Sequence, residues 1–147
     1  MTMPQLMVDE WALRRLAQLY AQAVDSNQPE LFASLFTEDA VVEGPGFRFA
    51  GRERLRAVPG DLVRLFRGTM HCVFNHTATI ENDTARGETY CIAYHGTEDS
   101  GGRPATLEWF IRYQDRYVRS GDGWRFTHRL LIVPWIRTTA AELPPRT

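Results

Sequence analysis

Apolar side chains recur three or four positions apart along the first part of the chain. Residues with this spacing share one face of a helix, so the pattern predicts a helix from Asp9 to about Asp25. Its apolar face comprises Leu13, Leu16, Leu19, Tyr20 and Ala23. The next predicted elements are a short helix over 29–36, a short strand over 40–43 and a helical segment over 51–66 that Pro59-Gly60 interrupts.

From Thr69 onward apolar and polar residues alternate, which is the period of a β-strand. Turn residues separate four predicted strands, over 69–81, 84–97, 104–119 and 124–137. We find no internal repeat and no linker, so we expect one domain over 1–147, with its core at about 9–137 and a C-terminal tail over 138–147. The order of elements predicts an α+β fold, in which N-terminal helices cover a curved, mostly antiparallel sheet around one apolar pocket.

Pairing across the 82–83 turn predicts which strand residues share the concave face. If Glu81 pairs with Thr84, the numbers of paired residues sum to 165. The predicted pairs are His71 with Tyr94, Val73 with Ile92 and Asn75 with Tyr90, and the next strand adds Leu107, Trp109, Ile111 and Tyr113. Such a wall fits a pocket for an apolar, ring-bearing molecule. The alternative is a plain hydrophobic core with a few hydrogen-bonded polar groups.

The opposite face of the predicted sheet is also apolar for a surface in contact with water. It carries Met70, Cys72, Phe74, His76, Cys91, Ala93 and His95. We therefore expect this face to lie between the subunits of a homo-oligomer. The two cysteines are diagonal to one another in this register, so we expect no disulfide between them.

Composition excludes several classes of partner and site. The net charge is −1 and all 17 basic residues are Arg, without a basic patch, so we expect no nucleic-acid partner. No window approaches the roughly 18 apolar residues of a membrane span, and no signal peptide is visible, which predicts a cytoplasmic protein without a membrane partner. The absence of Lys excludes a Schiff base and a Walker-type phosphate loop. The four histidines lack metal-ligand spacing, so we expect neither a metal nor a cofactor.

Acid–base chemistry remains available to Asp25 and the histidines. A carboxylate that holds an imidazole fixes its tautomer and raises its basicity, and such a pair can remove a proton next to a carbonyl group. On a helical wheel, however, Asp25 lies about 140° from Tyr20 and off the main apolar stripe. A solvent-exposed carboxylate at the end of a helix is therefore the alternative.

Five short motifs follow one another along the chain. They are Leu19-Tyr20-x-x-x-Val24-Asp25, His71-x-x-x-Asn75, Asp83-x-Ala85-x-Gly87-x-x-Tyr90, Asp122-Gly123-Trp124-Arg125 and His128-Arg129. Over roughly 10–137 this order resembles the SnoaL-like branch of the nuclear-transport-factor-2-like superfamily. It looks closest to the group that holds bile-acid 7α-dehydratase, scytalone dehydratase and hexachlorocyclohexane dehydrochlorinase. The resemblance implies a cone-shaped sheet, or α+β barrel, that helices close around a pocket.

The resemblance also implies catalytic roles for four residues. In that group an Asp at the end of the first helix pairs with a His on a central strand, and Asp25 and His71 occupy these positions. A Tyr one turn earlier corresponds to Tyr20, and an Arg on the last strand corresponds to Arg129.

The orientation of the last strand has two interpretations. Simple alternation after a four-residue turn at 120–123 places His128 toward the pocket and Arg129 outside. A three- or five-residue turn, or one bulge, reverses this order, and the family pattern favours Arg129 inside.

Three functional hypotheses follow from the residues and the resemblance. The first is a cofactor-independent lyase that eliminates water from a hydrophobic ring compound of steroid, terpenoid or aromatic-polyketide type. In it His71 is the general base, Asp25 orients it, and Tyr20 and Arg129 assist at the reacting oxygen. The expected substrate-binding residues are Asn75, Val73, Tyr90, Ile92, Tyr94, Trp109, Ile111 and His128. The second hypothesis is an isomerase or polyketide cyclase with the same pair, and the third is a non-catalytic ligand-binding or scaffold protein. The resemblance implies a trimer or a dimer.

Overall fold

Four helices precede or interrupt the sheet in the computed structural model, which describes residues 1–145. They are α1 (Met3–Asp25), α2 (Pro29–Ser34), α3 (Arg52–Arg56) and α4 (Val58–Leu65). The predicted first helix ends at the expected residue but begins six residues earlier, because Thr2 accepts a hydrogen bond from the Gln5 backbone N–H and caps it. Among the described residues, no helix is long and apolar enough to cross a membrane.

Six strands form one sheet in the order β2-β1-β6-β5-β4-β3. They are β1 (Phe36–Gly44), β2 (Phe47–Ala50), β3 (Thr69–Glu81), β4 (Thr84–Glu98), β5 (Pro104–Ser120) and β6 (Gly123–Ala140). Neighbouring strands are antiparallel except β1 and β6, which are parallel. The α+β class and the mostly antiparallel sheet are confirmed, whereas β2 was not predicted and β1 is longer than expected. Residues 138–140, predicted as tail, complete β6.

A β-bulge in β3 makes the predicted register wrong for the first part of that strand. Glu81 does pair with Thr84, and the predicted pairing holds as far as His76 and Thr89. Between Val73 and His76 two residues of β3 oppose one residue of β4, so His71 pairs with Ala93 instead of Tyr94. A shift of one residue exchanges the two faces of a strand. The inward residues of β4 are therefore Cys91, Ala93 and His95, and Tyr90, Ile92 and Tyr94 face outward.

A second bulge decides the orientation of the last strand. The turn before β6 has two residues, Gly121 and Asp122, because Ser120 pairs with Gly123. Arg116 then pairs with His128 and Tyr117 with Phe126, so Thr127 is the extra residue of β6. The extra residue turns Arg129 into the core, where it is 1% exposed. His128 faces outward and hydrogen-bonds Glu43 through Nε2 at 2.7 Å.

The core lies between the concave face of the sheet and the N-terminal helices. Aromatic rings dominate it: the Tyr20 ring on α1 lies 4.9 Å from that of Phe32 and 5.7 Å from that of Tyr113 between centroids. Burial of such large side chains is the main stabilising contribution to the fold. Toward α3, α4 and the β1–β2 hairpin this core opens into a cavity.

The convex side of the sheet carries an apolar surface that we call the outer patch. It consists of Met70, Cys72, Phe74, Tyr90, Ile92, Phe110, Ile132 and Trp135. One row of it crosses four strands, since Cys72 pairs with Ile92, Ile92 with Phe110 and Phe110 with Trp135. The exposed fraction reaches 61% at Trp135 and 63% at Met70. The predicted apolar outer face therefore exists, but His76, Cys91, Ala93 and His95 belong to the interior.

Candidate functional site

A cavity of about 270 Å³ lies between the sheet and the helices. Most of its walls are aliphatic or aromatic, as in sites for apolar small molecules. The lining residues with a polar group are His71, His95, Tyr20, Tyr113 and Trp109. The remaining lining residues are Phe32, Val42, Phe47, Phe49, Leu55, Val58, Leu62, Leu65, Phe66, Ala93, Ile111 and Leu131.

Asp25 and His71 meet at one wall of this cavity. The Asp25 Oδ1 atom lies 2.7 Å from His71 Nδ1, and Asp25 Oδ2 accepts the His71 backbone N–H at 2.8 Å. The helix end supplies the carboxylate, because Asp25 is the last residue of α1. The sheet supplies a free N–H, because β3 is an edge strand and one side of it has no neighbouring strand.

This arrangement fixes the tautomer of His71. A carboxylate accepts hydrogen bonds, so we assign the proton to Nδ1 and a lone pair to Nε2. Burial raises the pKa of the Asp25 carboxyl, but hydrogen bonds from the ring and the backbone of His71 lower it by more, and the net pKa is below its ordinary value. Asp25 is therefore a carboxylate at neutral pH that can stabilise a protonated His71.

His95 is a second histidine in the cavity wall that the predicted register had placed outside. Its Nδ1 lies 3.0 Å from the Leu107 carbonyl oxygen, which fixes the proton on Nδ1 and leaves a lone pair on Nε2. Burial lowers the pKa of His95, so the ring stays neutral at neutral pH. The rings of His95 and His71 are 6.0 Å apart between centroids. The β3 bulge that brings His95 inward has no clear sequence signal.

Tyr20 and Tyr113 are the two tyrosines among the lining residues of the cavity. Burial raises the pKa of both residues, and the nearby Arg129 opposes this effect. Both hydroxyls are therefore protonated at neutral pH and can donate hydrogen bonds to a bound molecule.

Arg129 lies behind the cavity wall rather than in it. Its Cζ atom is 3.8 Å from the ring centroid of Tyr113 and 4.3 Å from that of Tyr20, so the two rings separate it from the cavity. Asp115 neutralises the guanidinium: Nε donates to Oδ1 at 2.8 Å and Nη2 to Oδ2 at 3.1 Å. The third nitrogen, Nη1, is buried without a hydrogen-bond partner among the described residues.

The other predicted binding residues divide into two groups. Trp109 and Ile111 line the cavity as expected. Val73 shares the face of His71 but does not line the cavity, and Asn75 is exposed at the bulge. Tyr90, Ile92, Tyr94 and His128 lie on the outer face, because each bulge shifts the alternation by one residue.

The region of α3, α4 and β2 contributes cavity residues that we did not predict. Phe47, Phe49, Leu55, Val58 and Leu62 all belong to it. Their apolar character is visible in the sequence, but their position depends on the long-range pairing of β1 with β6. Among the described residues, no group of three or more His, Cys, Asp or Glu side chains is placed to hold a metal ion.

Comparison with known proteins gives one family match and several weaker likenesses. A family model described as a SnoaL-like domain matches residues 5–130. An uncharacterized protein of Mycobacterium tuberculosis (strain ATCC 25618 / H37Rv) is 24% identical over 127 residues, which cover 83% of each chain.

Two solved structures resemble the whole chain. A candidate scytalone dehydratase from Novosphingobium aromaticivorans is 25% identical, with a TM-score of 0.83 and coverage of 97% of this chain and 95% of that chain. A hexachlorocyclohexane dehydrochlorinase of type 3 from Novosphingobium barchaimii is 17% identical, with a TM-score of 0.84 and coverage of 98% and 100%. At 17% identity the second likeness concerns the fold alone.

Proposed function

Because the chain belongs to the SnoaL-like domain family, we propose that it is a cofactor-independent lyase that eliminates water from a small hydrophobic ring compound. The observation that carries the proposal is the contact of 2.7 Å between Asp25 and His71 at the wall of a largely apolar cavity. The structural neighbour that is 25% identical is a candidate dehydratase, and a dehydratase eliminates water. Fold likeness alone is a weak reason for a reaction, so the contact carries more weight.

His71 is the proposed general base. Its Nε2 removes a proton from a carbon next to a carbonyl group, and the electron pair of that C–H bond forms the new double bond. The leaving hydroxyl takes its electron pair and receives the proton back from the imidazolium, so one water leaves and His71 returns to its neutral form. Asp25 stabilises the intervening positive charge on His71. Positioned proton transfer of this kind contributes about 10²–10⁴ in rate.

Tyr20 and Tyr113 are the proposed donors to the carbonyl oxygen. Negative charge builds up on that oxygen as the proton leaves, and protonated hydroxyls stabilise it by hydrogen bonds. Arg129, whose charge Asp115 compensates, supports these donors indirectly by packing against the two rings and fixing their position. This role is less direct than the one the resemblance implies, because Arg129 does not reach the cavity.

The dimensions of the cavity favour a small substrate. Ligand pockets usually hold about 300–1,000 Å³, and a cavity of about 270 Å³ is just below that range. We therefore favour a compound of one or two rings over a tetracyclic steroid.

The first test is a screen of small cyclic β-hydroxy ketones with mass detection. Turnover should give a product lighter by one water, and His71→Ala should abolish it while the circular dichroism spectrum and the unfolding midpoint stay close to those of the wild type. His128→Ala is the matched control, since this His is on the outer face. Full activity of the His71→Ala protein on the same compound would contradict the role of His71.

Isomerisation or ring closure is the second candidate, because it begins with the same proton removal. The second histidine of the cavity wall favours it, since the neutral His95 can accept or deliver a proton at a second position. A product of unchanged mass would identify this reaction.

A pure binding or scaffold protein gives no reason for Asp25 and His71 to be in contact, so the observed distance counts against that hypothesis.

A further inference from the structure

Thr69 makes a contact with the same Asp25 oxygen that holds His71. The Thr69 hydroxyl donates to Asp25 Oδ1 at 2.8 Å, and His71 Nδ1 lies 2.7 Å from that atom. Thr69 and His71 are two positions apart on β3, so their side chains project from the same face of the strand. Nothing in the sequence motifs singled out Thr69.

The Asp25 carboxylate is reached by water from a side that does not include the cavity. Asp25 and Thr69 line a groove of about 440 Å³ that α4 and the segment ending at Pro145 also border, and neither residue lines the cavity. The Asp25 side chain is 22% exposed, whereas that of His71 is 6% exposed. Water in this groove competes for the carboxylate oxygens, and the Thr69 hydroxyl occupies a position at Oδ1 that water would otherwise take.

We propose that Thr69 is a positioning residue of the acid–base pair, whose hydroxyl holds Asp25 as a carboxylate with Oδ1 against the His71 ring. The role rests on the proposed function, since it concerns the same pair. Without this hydroxyl, the bond from the His71 ring and the bond from its backbone N–H are the contacts that hold Asp25 against β3. Water would then compete with His71 for Oδ1.

The groups around Asp25 indicate how its pKa should respond to the loss of the Thr69 hydroxyl. The titratable or charged groups that face it are His71 on β3, Cys91 and His95 on β4, and Arg67 in the groove. Burial raises the pKa of the Asp25 carboxyl, and the hydrogen bonds from His71 and Thr69 lower it. Removal of the hydroxyl takes away one of these donors, so the pKa of Asp25 should rise.

The test is an NMR titration of the Asp25 side-chain carboxyl carbon, which needs no substrate. Thr69→Val keeps the branched shape and removes the donor, whereas Thr69→Ser keeps the donor. We expect the Asp25 midpoint to shift upward in Thr69→Val and to stay at the wild-type value in Thr69→Ser. The carboxyl of Asp122, whose side chain is 80% exposed, is an internal reference that should not move. If the Val variant does not fold, Thr69→Ala provides the same comparison.

Two results would overturn the proposal: an unchanged Asp25 midpoint in the variants without a hydroxyl, or an equal shift in Thr69→Ser. The titration separates this proposal from the proposed function. If the Asp25 midpoint shifts in Thr69→Val but the protein has no lyase activity, the positioning role stands and the proposed function is wrong. If His71→Ala loses turnover but the Thr69 variants leave the Asp25 midpoint unchanged, the proposed function stands and the positioning role is wrong.

Discussion

Asp25 connects the end of helix α1 to the edge strand β3. It is the last residue of α1, and its carboxylate binds both the ring and the backbone N–H of His71 on the edge strand β3. The motif at the end of the first helix pointed to the partnership of these two residues. The sequence did not show the direction of the Asp25 side chain. A helical wheel assumes a regular α-helix, whereas Asp25 is the residue at which α1 ends.

The contacts of Asp25 should make its contribution to stability depend on pH. Its folded pKa is below the unfolded value, which is about 3.9 for an ordinary Asp, so the contribution is fully present above that value and is lost as the pH falls through the folded pKa. We expect the urea midpoint of the wild type to fall more steeply than that of Asp25→Asn as the pH is lowered from about 6 to 3. Parallel curves for the two proteins would contradict this expectation.

The buried pair of Arg129 and Asp115 should be sensitive to the loss of one partner. Asp115→Asn leaves the guanidinium in the core without a countercharge, and a change of this kind typically costs about 3–5 kcal/mol. The double variant with Arg129→Met should lose less stability than the two single variants added together, because it removes both charges. Urea unfolding of the four proteins measures this coupling.

A matched control uses an exposed pair of the same chemistry. Asp99 and Arg103 form a salt bridge at 2.9 Å in a loop, with the Arg side chain 81% exposed. Asp99→Asn should cost much less stability than Asp115→Asn, because an ion pair in contact with solvent contributes little. Equal losses at the two pairs would show that burial does not set the effect.

At the level of elements, the strands were predictable and their faces were only partly so. Alternating polarity gave β3 to β6 nearly their observed lengths, and the turn at Asn82 and Asp83 gave the correct starting pair. The bulges at 74–75 and at Thr127 each reversed a face, and neither contains a Gly or Pro that marks an irregularity. The turn therefore predicted the strand pairing as far as His76, whereas the face assignments of His76, Tyr94 and His95 were wrong.

We expect the β3 bulge to be necessary for the site, because it keeps His71 on the concave face of the sheet. Deletion of Asn75 removes the extra residue and would extend the simple register to His71, which would exchange the two faces of β3 above that point. We expect a large loss of stability and of any turnover, measured by thermal unfolding and by the mass assay. Deletion of Ser100, in the exposed loop between β4 and β5, is the control that should be tolerated.

For the whole molecule, the outer patch argues for self-association. Its residues form a continuous surface across four strands, with Trp135 and Met70 mostly exposed. Monomeric proteins rarely expose apolar surfaces of this extent, and the commonest partner for one is a second copy of the same chain. The prediction of a homo-oligomer from the sequence therefore keeps its physical basis, although four of the seven residues then assigned to that face are inside.

Light scattering after size exclusion tests this prediction. The wild type should have the mass of a dimer or a trimer, and Trp135→Glu should shift it toward the monomer, since a charge within an apolar interface is costly to bury. Val63→Glu is the control, because this exposed residue on α4 is remote from the convex face of the sheet. A monomeric wild type would remove the support for an interface.

The central position of β6 has a consequence for biosynthesis. It is the last strand in chain order, yet it pairs with β5 on one side and with β1 on the other. During translation the hairpin of β1 and β2 is therefore synthesised before its partner strand in the main sheet. About ninety residues separate the paired positions of β1 and β6. The apolar residues of this N-terminal part are exposed on the ribosome for that time. A nascent chain halted before β6 should consequently bind chaperones through its N-terminal half, and release should follow only when the last strand has emerged.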